Sequence, residues 1–310
     1  MRKPPHGRMA LLWIPVTIAA AFLQNLRSVL QKAIKGRLST AGAAYARFFY
    51  AWPFALIYLS VLYWGVGYDL PEPNRSFLIY CLLGGVSQIL FTVVLLWMFS
   101  FRSFAVGTTF SKMEVILVAL LGAVLLRDTI SALAVFAITL SSVGIVLLSL
   151  QETKMSPGAL LRGLREKATW IGLLCAALLG ASSVFFRGAA LALDGPDFVM
   201  AAAYALVVAL VLQTLIMGAW FVLMDRPQLV SVVREWRHAA PIGLVGMLTS
   251  ACWFTAFTLQ NAAYVRALGQ VELLFTYAAT VFVFREAISR YEVIGTLLIA
   301  CAILLILVAT

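Results

Sequence analysis

Charge is scarce in this chain. Asp, Glu, Lys and Arg make up 12% of its 310 residues, whereas a soluble domain carries about a quarter. That shortage excludes an ordinary soluble domain, because too few polar side chains remain to cover its surface. Acidic residues are the scarcer sign, 13 against 23 basic ones. The net charge of +10 forms no basic face. The basic residues fall between apolar segments, which suits lipid headgroups and membrane loops and excludes a nucleic-acid partner. Histidine occurs only as His6 and His238, and the four cysteines, Cys81, Cys175, Cys252 and Cys301, have no metal-type spacing. Each cysteine lies in an apolar segment, where a thiol acts as a small hydrophobe. The His-Glu-x-x-His, Gly-x-Ser-x-Gly, phosphate-loop and dinucleotide patterns are all missing. No metal, no cofactor and no enzymatic activity are therefore expected. Geometry disfavours a Ser111–Lys112 nucleophile pair, since neighbours on a helix point about 100° apart.

What the chain has instead is hydrophobicity, at 63% of residues. A helix needs about 20 mainly apolar residues to cross the hydrocarbon core. Ten segments meet that length: 9–31, 41–63, 76–99, 105–126, 130–150, 169–191, 198–223, 239–260, 266–284 and 287–309. None alternates as a barrel strand does. Backbone groups in lipid must be satisfied internally, so the expected fold is an all-α integral membrane bundle of ten transmembrane helices. The N-terminus mimics a secretory signal, with Arg2, Lys3 and Arg8 before an apolar run and Ala19-Ala20-Ala21. The run continues to about Leu30, which reads as an uncleaved first span. Breaks are expected between Gly65 and Pro73 and at Asp194-Gly-Pro-Asp197.

Two stretches repeat one another at an offset of 158 residues. Ala105 to Glu114 runs on to Arg127-Asp128 and Ser131; Ala263 to Glu272 runs on to Arg285-Glu286 and Ser289. Ala105, Glu114, Arg127, Ile130 and Ser131 all find their match. Chance likeness of two apolar helices does not explain a matched glutamate followed by a matched charged turn. The chain therefore divides into a five-span repeat at 1–150, a charged connection at 151–168 and a second five-span repeat at 169–310. An odd span count inverts the second repeat, the plan of many secondary transporters. If the N-terminus and even-numbered loops share one side, that side carries six basic residues, Arg2, Lys3, Arg8, Arg75, Arg127 and Arg266, and the other thirteen. The positive-inside rule then puts both termini outside the cytoplasm, although the basic N-terminal tail argues the opposite.

Ionisable groups inside spans mark the candidate site. A charge at the bilayer centre costs about 2.5–3.5 kcal/mol on insertion scales, so such groups are paired, protonated or functional. Glu114 and Glu272 lead. On an unbroken helix Gly107, Ser111 and Glu114 share a face, as do Gly269, Glu272 and Thr276. They suit substrate-ammonium binding, proton coupling or a polar brace between the repeats. Lys112 and its counterpart Gln270 lie about 200° around the helix from their glutamates. Their mismatch hints at specificity. Arg27 and Arg187 occupy equivalent places late in spans one and six. Both are candidates to fork onto a substrate carboxylate or onto Glu114 and Glu272, or to snorkel. Arg47 reads as an interface anchor. Asn25, Gln88, Trp97, Tyr204 and Trp253 are candidate cavity-lining groups.

Small residues before a Glu, an apolar run, a basic-acidic turn and Ile-Ser, found twice, resemble the EamA family of the drug/metabolite transporter superfamily. Ala46-Arg47-Phe48-Phe49 early in span two adds to the likeness, which covers essentially the whole chain. The family's Glu falls on Glu114 and Glu272. Where the family has Pro directly after it, this chain has Val115 and Leu273. The resemblance implies a multi-pass protein of the bacterial cytoplasmic membrane that carries small metabolites, commonly exporting amino acids or related compounds. It also implies cytoplasmic termini, against the loop count. Protons are a possible coupling ion. The alternatives are an exchanger of anionic phosphorylated metabolites using Arg27, Lys112 and Arg187 as a clamp, and a non-transporting scaffold.

Overall fold

A computed structural model describes residues 11–34, 37–98, 104–152, 158, 166–195, 197–279 and 289–310. Among them the regular structure is helical, with no strand. Eight helical stretches are long and apolar enough to cross a membrane, at Thr40–Val66, Arg75–Leu95, Gly107–Leu125, Ala132–Ser149, Lys167–Ala192, Phe198–Met224, Trp236–Leu259 and Arg290–Val308. The first predicted span is a helix, α1 (Trp13–Ala33). It falls short on apolarity because Gln24, Asn25, Arg27 and Gln31 crowd its second half. The ninth predicted span begins earlier than expected and is described only as far as Ala279. The Arg285-Glu286 turn, the N-terminal tail and most of the 151–168 connection lie outside the described residues.

Span two is α2 (Thr40–Phe49) followed by α3 (Ala51–Ser60) and a π-helical turn, Val61–Val66. The interruption at Tyr50 follows from Pro53, which has no N–H to donate to Phe49 and crowds its carbonyl. Gly67, at φ 81°, ends the span where Gly65–Pro73 predicts a break. The later helices are α4 (Arg75–Met98), α5 (Phe104–Ser111), α6 (Glu114–Leu125), α7 (Ala132–Glu152), α8 (Lys167–Ala192) and α9 (Phe198–Met224). They continue with α10 (Arg226–Arg234), α11 (Trp236–Leu259), α12 (Ala262–Gly269), α13 (Val271–Ala279) and α14 (Arg290–Val308).

Short polar side chains start these helices by accepting from backbone N–H groups that would otherwise lack a partner. Asp197 accepts from Val199 N at 2.9 Å after the predicted 194–197 break, and Asn261 accepts from Ala263 N at 3.1 Å. The matched Ser131 and Ser289 do the same for α7 and α14, accepting from Ala134 N and Glu292 N at 3.2 Å each. Glu292 returns a bond to Ser289 N, completing a capping box. Part of the repeat signature is thus a helix start. At the other end of the connection Arg127 takes φ 55°, and the Asp128 N–H returns to Gly122 O at 3.2 Å, making the predicted sharp turn.

The helices gather into two compact units. One comprises Met1–Ile89 and Phe185–Gln260, the other Leu90–Val184 and Asn261–Thr310. Each draws helices from both halves of the sequence. In the first, α9 packs on α2, α3 and α11, and α1 lies along α11, around buried Phe48, Phe77, Leu206, Phe221 and Ile242. In the second, α7 lies along α14, and α12 packs on α6. Gly144 and Gly295 let α7 and α14 touch backbone to backbone. A Cβ on Gly144 would sit 2.7 Å from Gly295 O, the close approach that small residues permit between helices in lipid.

Candidate functional site

The two glutamate segments are not continuous helices. α5 stops at Ser111 and α6 starts at Glu114, with Lys112 and Met113 between them. Their N–H groups bond three residues back, to Thr109 O at 3.3 Å and Phe110 O at 3.1 Å, so the turn is tightened. In the second copy α12 stops at Gly269 and α13 starts at Val271, with Gln270 N bonding Ala267 O at 3.3 Å. The interruptions fall at Lys112 and Gln270, matched positions. They form without the proline that the resembled family carries. This corrects the shared-face reading, since Ser111 and Glu114, and Gly269 and Glu272, belong to different helical segments. Ser111 Oγ instead bonds Thr108 O at 2.8 Å, and Thr276 Oγ1 bonds Glu272 O at 3.0 Å.

Within the second unit Glu114 opens α6 and meets Arg266 of α12. Arg266 Nη1 lies 3.6 Å from Glu114 Oε1, with the two side chains 11% and 12% exposed. The guanidinium also donates through Nε and Nη2 to Ser183 Oγ of α8, at 3.1 and 3.0 Å. Glu114 Oε2 is buried and has no hydrogen-bond partner among the described residues. Gln270, itself buried, donates from Nε2 to Arg266 O at 3.4 Å. The loop tally above counts Arg266 as a loop residue; α12 begins at Ala262, which makes it a buried helical cation. Its repeat counterpart is Thr108, so the pair has no symmetric twin with Glu272. Lys112 and Glu272 are half-buried, each with its own polar contact.

In the first unit Arg187 does not reach out towards headgroups. Its Nη1 donates to Phe257 O at 2.5 Å and Gln260 O at 2.6 Å, carbonyls at the end of α11 that have no further turn to bond. A cation there satisfies acceptors that the helix cannot and opposes the negative end of its dipole. Arg187→Met is expected to destabilise the fold by about 1.5–3 kcal/mol, read from melting in detergent, with Arg187→Lys recovering part of it. Trp253 is buried, stacks on Phe257 at 5.7 Å and donates from Nε1 to Gln24 Oε1 at 3.1 Å. Tyr204 packs on Phe77, and Trp97 is exposed.

A small cavity in this unit is lined by Arg47, Phe48, Gln88, Gln213, Gly246 and Ser250 among others. About 10 Å³ is open to a water centre, room for one water. Gln213 Nε2 donates to Gln88 Oε1 at 2.6 Å beside it. The Arg47 guanidinium lies 4.4 Å above the Phe48 ring and has no hydrogen bond or ion pair among the described residues. Arg27 approaches the same spot: a Cβ on Gly246 would meet Arg47 Cγ at 3.4 Å and Arg27 Cδ at 3.7 Å. One cation, Arg47, and three neutral polar groups thus line the hollow with Arg27 close by, and no carboxylate lines it among the described residues. This corrects the reading of Arg47 as an interface anchor.

No curated protein matches the chain. A solved structure described as "Crystal structure of protein" superposes with a TM-score of 0.68 at 15% identity, covering 97% of this chain and 96% of that one. The likeness is one of fold. The model of the EamA-like transporter family matches residues 166–308. That stretch holds α8 to α14, including Arg187, Arg266 and Glu272. Over residues 166–308 the chain is thus similar to the EamA-like transporter family, which belongs to the drug/metabolite transporter superfamily.

Proposed function

We propose that this membrane protein is an alternating-access secondary carrier for a small metabolite bearing a carboxylate, an amino acid or a related compound, moved in the export direction. Two inverted five-span repeats would build it. The observation that carries the substrate class is Arg47, a cation inside a membrane-crossing stretch with no hydrogen bond or ion pair among the described residues, near Arg27 and three neutral hydrogen-bonding groups. A guanidinium in that setting calls for an anion, and its fork matches a carboxylate. Gln88, Gln213 and Ser250 supply donors and acceptors for the rest of a polar headgroup. The matched interruptions before Glu114 and Glu272 support the repeat plan, because transporter repeats place broken helices at their sites.

Coupling is assigned to the Glu114–Arg266–Ser183 cluster, with Glu272, Lys112, Gln270 and Ser111 as its neighbours in sequence. A proton on Glu114 removes the charge that holds Arg266 and gives a two-state element for a gradient to bias. Arg27 and Arg47 together also favour the second reading, exchange of a phosphorylated anion. Reconstitution into liposomes separates the two. Labelled amino acids, their decarboxylated amines and sugar phosphates are offered with and without a proton gradient. Saturable amino-acid flux with no amine flux is the expected result. Sugar-phosphate flux alone selects the second reading, and no flux of any compound by folded protein removes both.

A further inference from the structure

We infer that the groove between α2, α9 and α10 is a binding site for an anionic phospholipid, its acyl chain lying in the groove and its phosphate meeting Arg226 and Arg234. The groove encloses about 540 Å³, within the ~300–1,000 Å³ of small-molecule sites. Phe49, Trp52, Leu215, Val222, Leu229 and Val233 give it apolar walls. Leu215 is 64% exposed, so the walls are open to whatever surrounds the helix. Beside a membrane-crossing helix, that surrounding is lipid.

The floor of one end is α10, which follows the membrane-crossing α9 after a single residue, Asp225. Leu229 and Val233 face the groove from α10, and Arg226 lies three and seven residues before them, on the same face. Arg226 Nε donates to Val222 O at 2.8 Å. Since Val222 is a wall residue, this holds the guanidinium at the groove's mouth, exposed to an incoming phosphate. The acidic residues nearby are already engaged. Asp225 caps α10 by accepting from Gln228 N at 3.2 Å. Glu235 takes Arg37 at 3.4 Å and His238 at 3.0 Å. Arg226 and Arg234 are left exposed at the two ends of α10. Exposed Trp236, with Arg237 over its ring at 5.6 Å, marks the headgroup level, where indoles and basic residues collect. Apolar groove and unspent positive charge meet where an acyl chain meets its headgroup.

The test is native mass spectrometry of the full-length protein from micelles doped with phosphatidylglycerol or phosphatidylcholine. Three chains are compared: the unaltered one, R226Q/R234Q, and Leu215→Trp, which fills the groove. All substituted residues are exposed, and melting in lipid-free detergent checks that each chain folds. The unaltered chain is expected to hold phosphatidylglycerol over phosphatidylcholine. R226Q/R234Q should lose that preference by about fivefold per arginine, and Leu215→Trp should lose retained lipid of both kinds. Equal retention of the two lipids by all three chains overturns the inference. So does a dimer that disappears with Leu215→Trp, which would give the groove to a second copy of this chain.

Discussion

Arg47→Gln is expected to lower kcat/KM for a carboxylate substrate by about tenfold to a hundredfold, the worth of a hydrogen bond to a charged group. Transport assays in liposomes check it, with folding followed by melting. The substitution removes a charge that no carboxylate among the described residues pairs with, at the cost only of its contact with the Phe48 ring, so stability should stay about level. A purely structural arginine would behave in the opposite way, because its loss would strand partners. Arg47→Lys keeps the charge but loses the fork, and should fall between the two. A chain carrying Arg47→Gln that still carries amino acids at the unaltered rate would remove Arg47 from the substrate site. The decarboxylated amine gives an internal control, since Arg47→Gln should narrow the gap between acid and amine.

Arg266→Met is expected to destabilise the protein by about 3–5 kcal/mol, because it leaves the Glu114 carboxylate buried and uncompensated. Adding Glu114→Gln to the same chain should restore most of that loss, since a neutral pair needs no counter-charge. The measurement is thermal or denaturant unfolding of the single and double variants in one detergent. The asymmetry between single and double substitution is what identifies a buried pair. If the two losses simply add, Arg266 and Glu114 are independent and the pair is not the element that coupling would break. Flux supplies a second readout: a coupling role predicts that Glu114→Gln flattens the pH dependence of transport, which a mere brace would leave in place.

Sequence made the helices legible because they rest on local signals. Long apolar runs, Gly67 and Asp197 at span edges, and the Ser131 and Ser289 caps are written in a few adjacent residues. The matched glutamate segments hold two helix interruptions, where apolar spacing alone predicts unbroken faces. Sequence could not show those interruptions, because no proline causes them; hydrogen bonds that tighten the turn at Lys112 and Gln270 do. Arg266 was misplaced for a similar reason. Four residues of error at the start of α12 turned a buried cation into a loop charge, and Thr108 at its repeat counterpart gave no hint. The partners of Arg187 are backbone carbonyls, which carry no side-chain signature. Arg47, Gln88, Gln213 and Ser250 come from four separated stretches, and only packing of α2, α4, α9 and α11 brings them to one hollow. Short-range pattern thus yields the bundle, while the polar contacts inside it depend on tertiary pairing.

Counterflow in liposomes tests the carrier claim most directly. Vesicles holding the protein are preloaded with an unlabelled substrate from the flux screen, and uptake of the labelled form is followed with no other gradient. An alternating-access site returns loaded faster than empty, so preloading should accelerate uptake and drive transient accumulation above equilibrium. Uptake that is indifferent to preloading, from protein shown to be folded, would contradict the account.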